Sequence, residues 1–263
     1  MAKKIPLLLK LIQDYPEYTK DQLTAFVICK NVKVNGELLS LPKEKVDSES
    51  DISFTFDKFV SRGGYKLEAA LEAFDIDVTD KVMLDAGSST GGFTDCLLQH
   101  GAKNVHSVDV GYNQLDWKMR TDERVIVHEK QNIMNLKELD PPASGAVCDL
   151  SFRSISGAAS HVLDLSGNNF LLCLIKPQFE IPRWQQDFSG VVKSKELLKD
   201  IMMHVYEILS EDNIGIQGLI LSPIKGRKGN TEFLSYLTPQ KGLNEEDYSR
   251  LCDELIGSID KEK

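Results

Sequence analysis

Four charged residues, far apart in the chain, fall where a buried sheet would bring reactive groups together. Lys66 follows Arg62-Gly63-Gly64-Tyr65 at the start of a helical stretch, and Asp149 closes the apolar run that ends in Cys148. Lys176 separates the apolar run Leu171–Ile175 from Pro177, and Glu232 opens the stretch Glu232–Leu237. A short apolar run with polar bounds reads as a strand covered on both faces. Proline after Lys176 biases that lysine away from helix and ends the strand. An ammonium at the carboxyl edge of a buried sheet stands where open α/β folds keep their ligands. Singly, the four read as a solvated helix lysine, a capping aspartate, an edge charge and an exposed strand glutamate. Together they could move a proton from a weakly acidic hydroxyl. A neutral lysine amine can take that proton, and a second cation can stabilise the oxygen anion. Two nearby lysines disfavour each other's charge, and two carboxylates restore it and orient them.

A second constellation supplies a ligand. Leu84 to Thr94 reads LDAGSSTGGFT, in which Gly87, Gly91 and Gly92 permit a tight turn at a helix N-terminus, with Ser88 and Phe93 beside them. A dinucleotide fingerprint would begin with glycine where this chain has Asp85. A carboxylate there repels pyrophosphate and suits a ligand with a cationic amino group, such as S-adenosylmethionine. Asp109 ends the next strand, where it can accept both ribose hydroxyls. Asn132 follows the third strand, where a polar side chain meets the adenine edge. Asp85 also reads as a helix-capping acid, and Asp109 as a surface turn residue. Two acids at matching strand ends, with the glycines, favour the methyl donor.

The acceptor follows by exclusion. Enzymes that methylate exocyclic amines commonly carry Asn/Asp-Pro-Pro-Tyr/Phe at the fourth strand end, whereas this chain has Asp149-Leu150-Ser151-Phe152. No cysteine motif supports attack on a pyrimidine ring. Methylation of oxygen remains.

These residues need a scaffold. From residue 60 onward strands alternate with helices, the signature of a parallel sheet covered on both faces. Strands are predicted at 82–84, 104–108, 124–128, 145–148, 170–175, 215–221 and 232–237, and helices at 65–74, 91–99, 154–165, 195–209 and 245–259. The fold class is α/β, a Rossmann-like methyltransferase fold with a seven-stranded, mostly parallel sheet. Residues 1–57 have another rhythm: two helical patterns, one through Leu7 and Ile12 and one through Leu23 and Cys29, then the strand Val32–Val34 closed by Asn35-Gly36, and a strand over 52–56. This predicts two helices packed on a small hairpin, with Lys30, Lys33 and Lys58 along one side. The predicted domains are 1–58 and 59–263.

Bulk properties narrow the class. The net charge of −9 gives no general attraction to nucleic acid, so any such partner needs a local basic patch. The five cysteines form no C-x-x-C pair, which argues against a zinc site or disulfide framework and for a reducing compartment. No metal is expected. The apolar run Ile5–Ile12 is broken by Lys10, and no stretch reaches the roughly 20 residues of a membrane span. A cytoplasmic location is expected, without membrane insertion.

The motifs SRGGYKLEAAL (61–71), LDAGSSTGGFTD (84–95), VDVGYNQLDWKMRTDERV (108–125), CDLSF (148–152), LIKPQFE (174–180) and GNTEFL (229–234) together resemble the TlyA (haemolysin A) family of ribosomal RNA methyltransferases, which share the FtsJ-type catalytic domain. The resemblance implies a Lys-Asp-Lys-Glu tetrad for ribose 2′-O-methylation at Lys66, Asp149, Lys176 and Glu232, acting on cytidine of ribosomal RNA within ribosomal subunits. The segment 1–58, through VKVNGE (32–37), is similar to the small RNA-binding domain named after ribosomal small-subunit protein four. It implies RNA contacts at Lys30 and Lys33, joined by Arg62. Two departures stand out: residues 1–57 contain no arginine, and Asn132 replaces an acid. The competing classes are a membrane-active haemolysin and a non-catalytic RNA-binding or ribosome-assembly factor.

Overall fold

The computed structural model describes residues 4–259 apart from 29, 56, 151–153, 156 and 182–189, with backbone alone for Arg227. The readings at Cys29, Phe56, Ser151 and Phe152 lie outside the described residues. The chain separates into two compact units, Met1–Lys58 and Phe59–Lys263.

The smaller unit runs β1 (Lys4–Pro6), α1 (Leu7–Asp14), α2 (Lys20–Ile28), β2 (Val32–Val34), β3 (Glu37–Leu39), β4 (Lys45–Asp47) and β5 (Ile52–Phe54). β2 lies between β3 and β5, antiparallel to both, and β1 pairs with β4. The β2–β3 turn passes through Asn35 at φ 50 and Gly36 at φ 86, the two left-handed residues that a tight hairpin needs. Strand alternation sends Val32 and Val34 into a core with Leu7, Leu11, Leu23, Val27 and Val46. It leaves Lys33 on the other face, paired with Leu38 and Ser53. Tyr15, Tyr18 and Phe26 pack around the Phe54 ring. The expected helices and hairpin are present, but β1 precedes the first helix, and β3 and β4 add pairing partners. Strands of three residues are too short for alternation to register. Among the described residues no helix is long and apolar enough to cross a membrane.

The larger unit runs α3 (Gly63–Ala73), β6 (Val82–Ala86), α4 (Gly92–Gln99), β7 (Asn104–Val108), α5 (Trp117–Arg120), β8 (Val125–His128), β9 (Ala146–Cys148), α6 (Ala159–Leu165), β10 (Leu171–Ile175), α7 (Lys195–Glu211), β11 (Gly215–Leu221), β12 (Phe233–Thr238) and α8 (Glu245–Ser258). Seven strands form one sheet in the order β11-β12-β10-β9-β6-β7-β8, with β12 running opposite to the other six. The central strands are covered on both faces, which explains their unbroken apolar runs. Leu171, Cys173 and Ile175 join α6, α7 and α8 in one core, and Leu172 and Leu174 join α3 and α4 in the other. Truncating such a side chain to alanine costs about 2–5 kcal/mol. The predicted strands lie where expected within two residues. The helix predicted over 154–165 is shorter at its start, and α5 is an addition, since four residues carry no helical period.

Candidate active site

Register brings the four charged residues together. Ile175 pairs with Phe233, so Lys176 and Glu232 stand one step beyond the last rung of adjacent strands. Cys148 pairs with both Cys173 and Ala86, so Asp149 and Gly87 emerge from the neighbouring strand ends. Because β12 is antiparallel, Glu232 enters at a strand's beginning, whereas Asp149 and Lys176 enter at strand ends. Lys66 arrives from the first turn of α3. All four line one open cleft of about 1400 Å³.

They form two ion pairs. Lys66 Nζ donates to Glu232 Oε2 at 2.5 Å, with Lys66 9% and Glu232 4% exposed. Lys176, also 9% exposed, pairs with Asp149 and donates to the Leu150 carbonyl at 3.0 Å. Desolvated charges persist when paired and hydrogen-bonded in this way. Glu180 braces the second pair: it accepts from Ser154 Oγ at 2.5 Å and from the Ile155 N–H at 2.7 Å. It thereby links the chain after Lys176 to the chain after Asp149. Burial pushes the Cys148 thiol well up, so the cysteine next to Asp149 stays protonated and is no nucleophile.

The same cleft continues over the glycine turn, lined by Gly87, Ser88, Gly92, Phe93, Asp109 and Asn132. Gly87 sits at φ 88, and a Cβ there would lie 2.7 Å from the Asp149 carbonyl oxygen. This glycine is therefore what lets the turn after β6 approach the chain at Asp149. Gly87 and Ser88 both donate their N–H to the Val108 carbonyl, fastening the turn to the end of β7. Asp109, one residue further, accepts from the Ser89 N–H at 2.9 Å and the Gly111 N–H at 2.6 Å. Its carboxylate is held in place at the cleft wall.

Two expected cofactor residues, Asp85 and Gly91, lie off the cleft, and a third is engaged within the chain. Asp85 does not line the cleft. β6 runs two residues beyond its predicted end, so Asp85 lies within the sheet and faces α4, where it is wholly buried and accepts from Thr94 Oγ1 at 2.6 Å. Its other oxygen has no hydrogen-bond partner. Burial, above all, raises its pKa to about 7, against the lowering effect of the Thr94 hydrogen bond. Gly91 also stands off the cleft: its φ of 92 turns the chain, and its missing Cβ leaves room for Leu115 and Met119. Asn132 lines the cleft as expected, but its side-chain oxygen already accepts the Met134 N–H at 3.0 Å and caps a short 3-10 turn. Its free amide hydrogens make it a donor at the wall.

Comparison with known proteins decides the family. The profile of the FtsJ-like methyltransferase family matches residues 59–238. The chain is 36% identical over its full length to YqxC of Bacillus subtilis, provisionally named an rRNA methyltransferase, and covers 98% of it. It is 33% identical to the 16S/23S rRNA (cytidine-2′-O)-methyltransferase TlyA of Mycobacterium tuberculosis, over 91% of this chain and 92% of that one. A solved structure from Streptococcus thermophilus, named for a hemolysin, superposes with a TM-score of 0.70 at 32% identity, covering 99% of this chain and 98% of that one. This is an FtsJ-like methyltransferase of the TlyA family.

In this methyltransferase the expected RNA-binding residues fall in different units. Lys30, at φ 60, is exposed in the turn before β2, and Lys33 lies on the outward face of β2. Arg62 is exposed at the N-cap of α3 and lines the cleft. Several cleft residues had no place in the sequence reading. Ser89 orders Asp109, Glu180 braces the Asp149 side, and Lys225, Lys228 and Asn230 line the wall next to Glu232. Charge was the available signal for the last group, since the segment Lys225-Gly226-Arg227-Lys228-Gly229 stands out in an acidic chain.

Proposed function

We propose that this protein transfers a methyl group from S-adenosylmethionine to a ribose 2′-hydroxyl, on cytidine of ribosomal RNA. The observation that carries the reading is one cleft that joins the glycine turn and Asp109 to two buried lysine–carboxylate pairs. The names of the relatives supply the RNA class.

The donor end fits S-adenosylmethionine. Asp109, fixed by two backbone N–H groups, accepts the ribose hydroxyls. Asn132 donates to the adenine edge. Asp85, buried beneath the turn, leaves one carboxyl oxygen without a partner in the chain. The donor supplies a methyl group on a sulfonium. The protein supplies alignment and proton transfer. A ribose hydroxyl must lose its proton as its oxygen attacks in line. Lys176, oriented by Asp149, takes that proton on its amine nitrogen when it is in the neutral form. Such general base help is worth roughly 10²–10⁴-fold. The Lys66 ammonium, oriented by Glu232, stabilises the negative oxygen. Lys30 and Lys33 of the small unit contribute phosphate contacts.

Labelled donor incubated with ribosomal subunits from a host lacking the enzyme tests the reading, once the label is mapped. Methyl on a ribose of cytidine is the expected result. Label on a base, or on ribosomal protein, would overturn it.

A further inference from the structure

Beyond the residues assigned above, we propose that the loop between β11 and β12, residues 223–230, is a phosphodiester clamp that grips the RNA backbone beside the target nucleotide. This rests on the RNA reading of the preceding section and adds a part of the site to it.

The loop belongs to the cleft. Lys225, Gly226, Lys228 and Asn230 all line its wall. A Cβ on Gly226 would lie 2.1 Å from Glu232 Oε1, so the loop backbone rests directly against the Glu232 carboxylate. The Gly226 N–H donates to the Asn230 carbonyl, and the Gly229 N–H to the Gly226 carbonyl. Lys228 at φ 63 and Gly229 at φ 82 are successive left-handed residues, a curled backbone held in one shape. Asn230 is 3% exposed; its amide donates to the Gly190 carbonyl and accepts the Val192 N–H. The loop is thus anchored on the side away from solvent.

Its charges are free on the other side. Lys225 and Lys228 are exposed, as is Arg62, one helical turn before Lys66. Among the described residues none of these three cations has an anionic partner, while Lys66 and Lys176 on the same wall are both paired. Bulk charge of −9 repels a polyanion, so attraction must be local. Uncompensated lysines and an arginine around a desolvated reaction centre suit the phosphates flanking a ribose. Lys66 and Glu232 are spoken for by each other, so the clamp binds and does not react.

The test is full-length protein with the double substitution Lys225→Ala and Lys228→Ala, assayed on ribosomal subunits across a salt series. The expected result is a rise in KM for RNA on the order of tenfold, with kcat at saturating RNA and donor affinity by calorimetry unchanged. The slope of log affinity against log salt falls by about 1–2, the loss of two phosphate contacts. The charge-conserving pair Lys225→Arg and Lys228→Arg restores both quantities. Wild-type values of KM and salt slope in the alanine variant, with transfer intact, would overturn the clamp and leave the proposed reaction standing. A wild-type chain that transfers to no RNA would overturn both.

Discussion

Lys66 Nζ lies 2.5 Å from Glu232 Oε2, although 166 positions separate the two residues in the chain, and both side chains are almost wholly withdrawn from water. Removing one partner leaves a buried charge uncompensated, which costs about 3–5 kcal/mol. Lys66→Met is therefore expected to lower the urea midpoint sharply. The double substitution Lys66→Met with Glu232→Gln is expected to recover most of that stability and none of the methyl transfer. A double variant as unstable as the single one would show that the pair does not act as a unit.

Lys176→Ala and Asp149→Ala are expected to abolish transfer while changing donor affinity by less than about tenfold. In the proposed reaction the two residues face the acceptor, whereas the glycine turn and Asp109, which belong to other strand ends, face the donor. Calorimetry with the donor beside single-turnover transfer separates the two effects. Parallel collapse of both would place these side chains in donor binding instead.

Gly87→Ala is expected to damage activity more than Gly91→Ala. Both glycines have positive φ, so each substitution carries backbone strain of about 1 kcal/mol or more. At Gly87, however, the added methyl meets the fixed backbone oxygen of Asp149 at 2.7 Å, whereas at Gly91 it meets the flexible side chains of Leu115 and Met119. The first shift is passed to the Asp149 backbone; the second is absorbed in the core. Rates corrected for folded fraction make the comparison.

Asp85 gives a pH dependence. Its folded pKa is raised to about 7, while the unfolded chain releases the same proton near pH 4. Between those values the native state holds more protons, so stability falls as pH rises through about 4 to 7 and is level above. That difference corresponds to a span on the order of 4 kcal/mol. Asp85→Asn keeps an acceptor for Thr94 and removes the titration, so its stability relative to wild type is expected to improve from pH 5 to pH 8. An equal gap at both pH values would mean that this carboxyl stays ionised.

The strands of the larger unit were legible because burial on both faces leaves runs such as LLCLI that no other element explains. The tetrad was legible because each member sits at such a run's end, or at a helix start beside a glycine pair. Asp85 was misread for a related reason: the polar residue inside β6 looks like a strand terminator, and only the register with β7, which pairs Asp85 with Ser107, shows the strand continuing past it. The small unit was legible at its Asn-Gly hairpin and obscure at β1 and β4, whose three-residue pairing is set by partners distant in sequence. The β11–β12 loop announced its charge but not its place, since nothing in KGRKG says that it folds over Glu232.

The reversed direction of β12 has a consequence for how such a protein changes over generations. Its hairpin opens at the reactive rim, so exposed positions of the connecting segment, such as Lys225 and Lys228, can change while the strands on either side keep their partners. Preference for one target over another can therefore drift through a short surface stretch, under far weaker constraint than the groups that carry out the transfer.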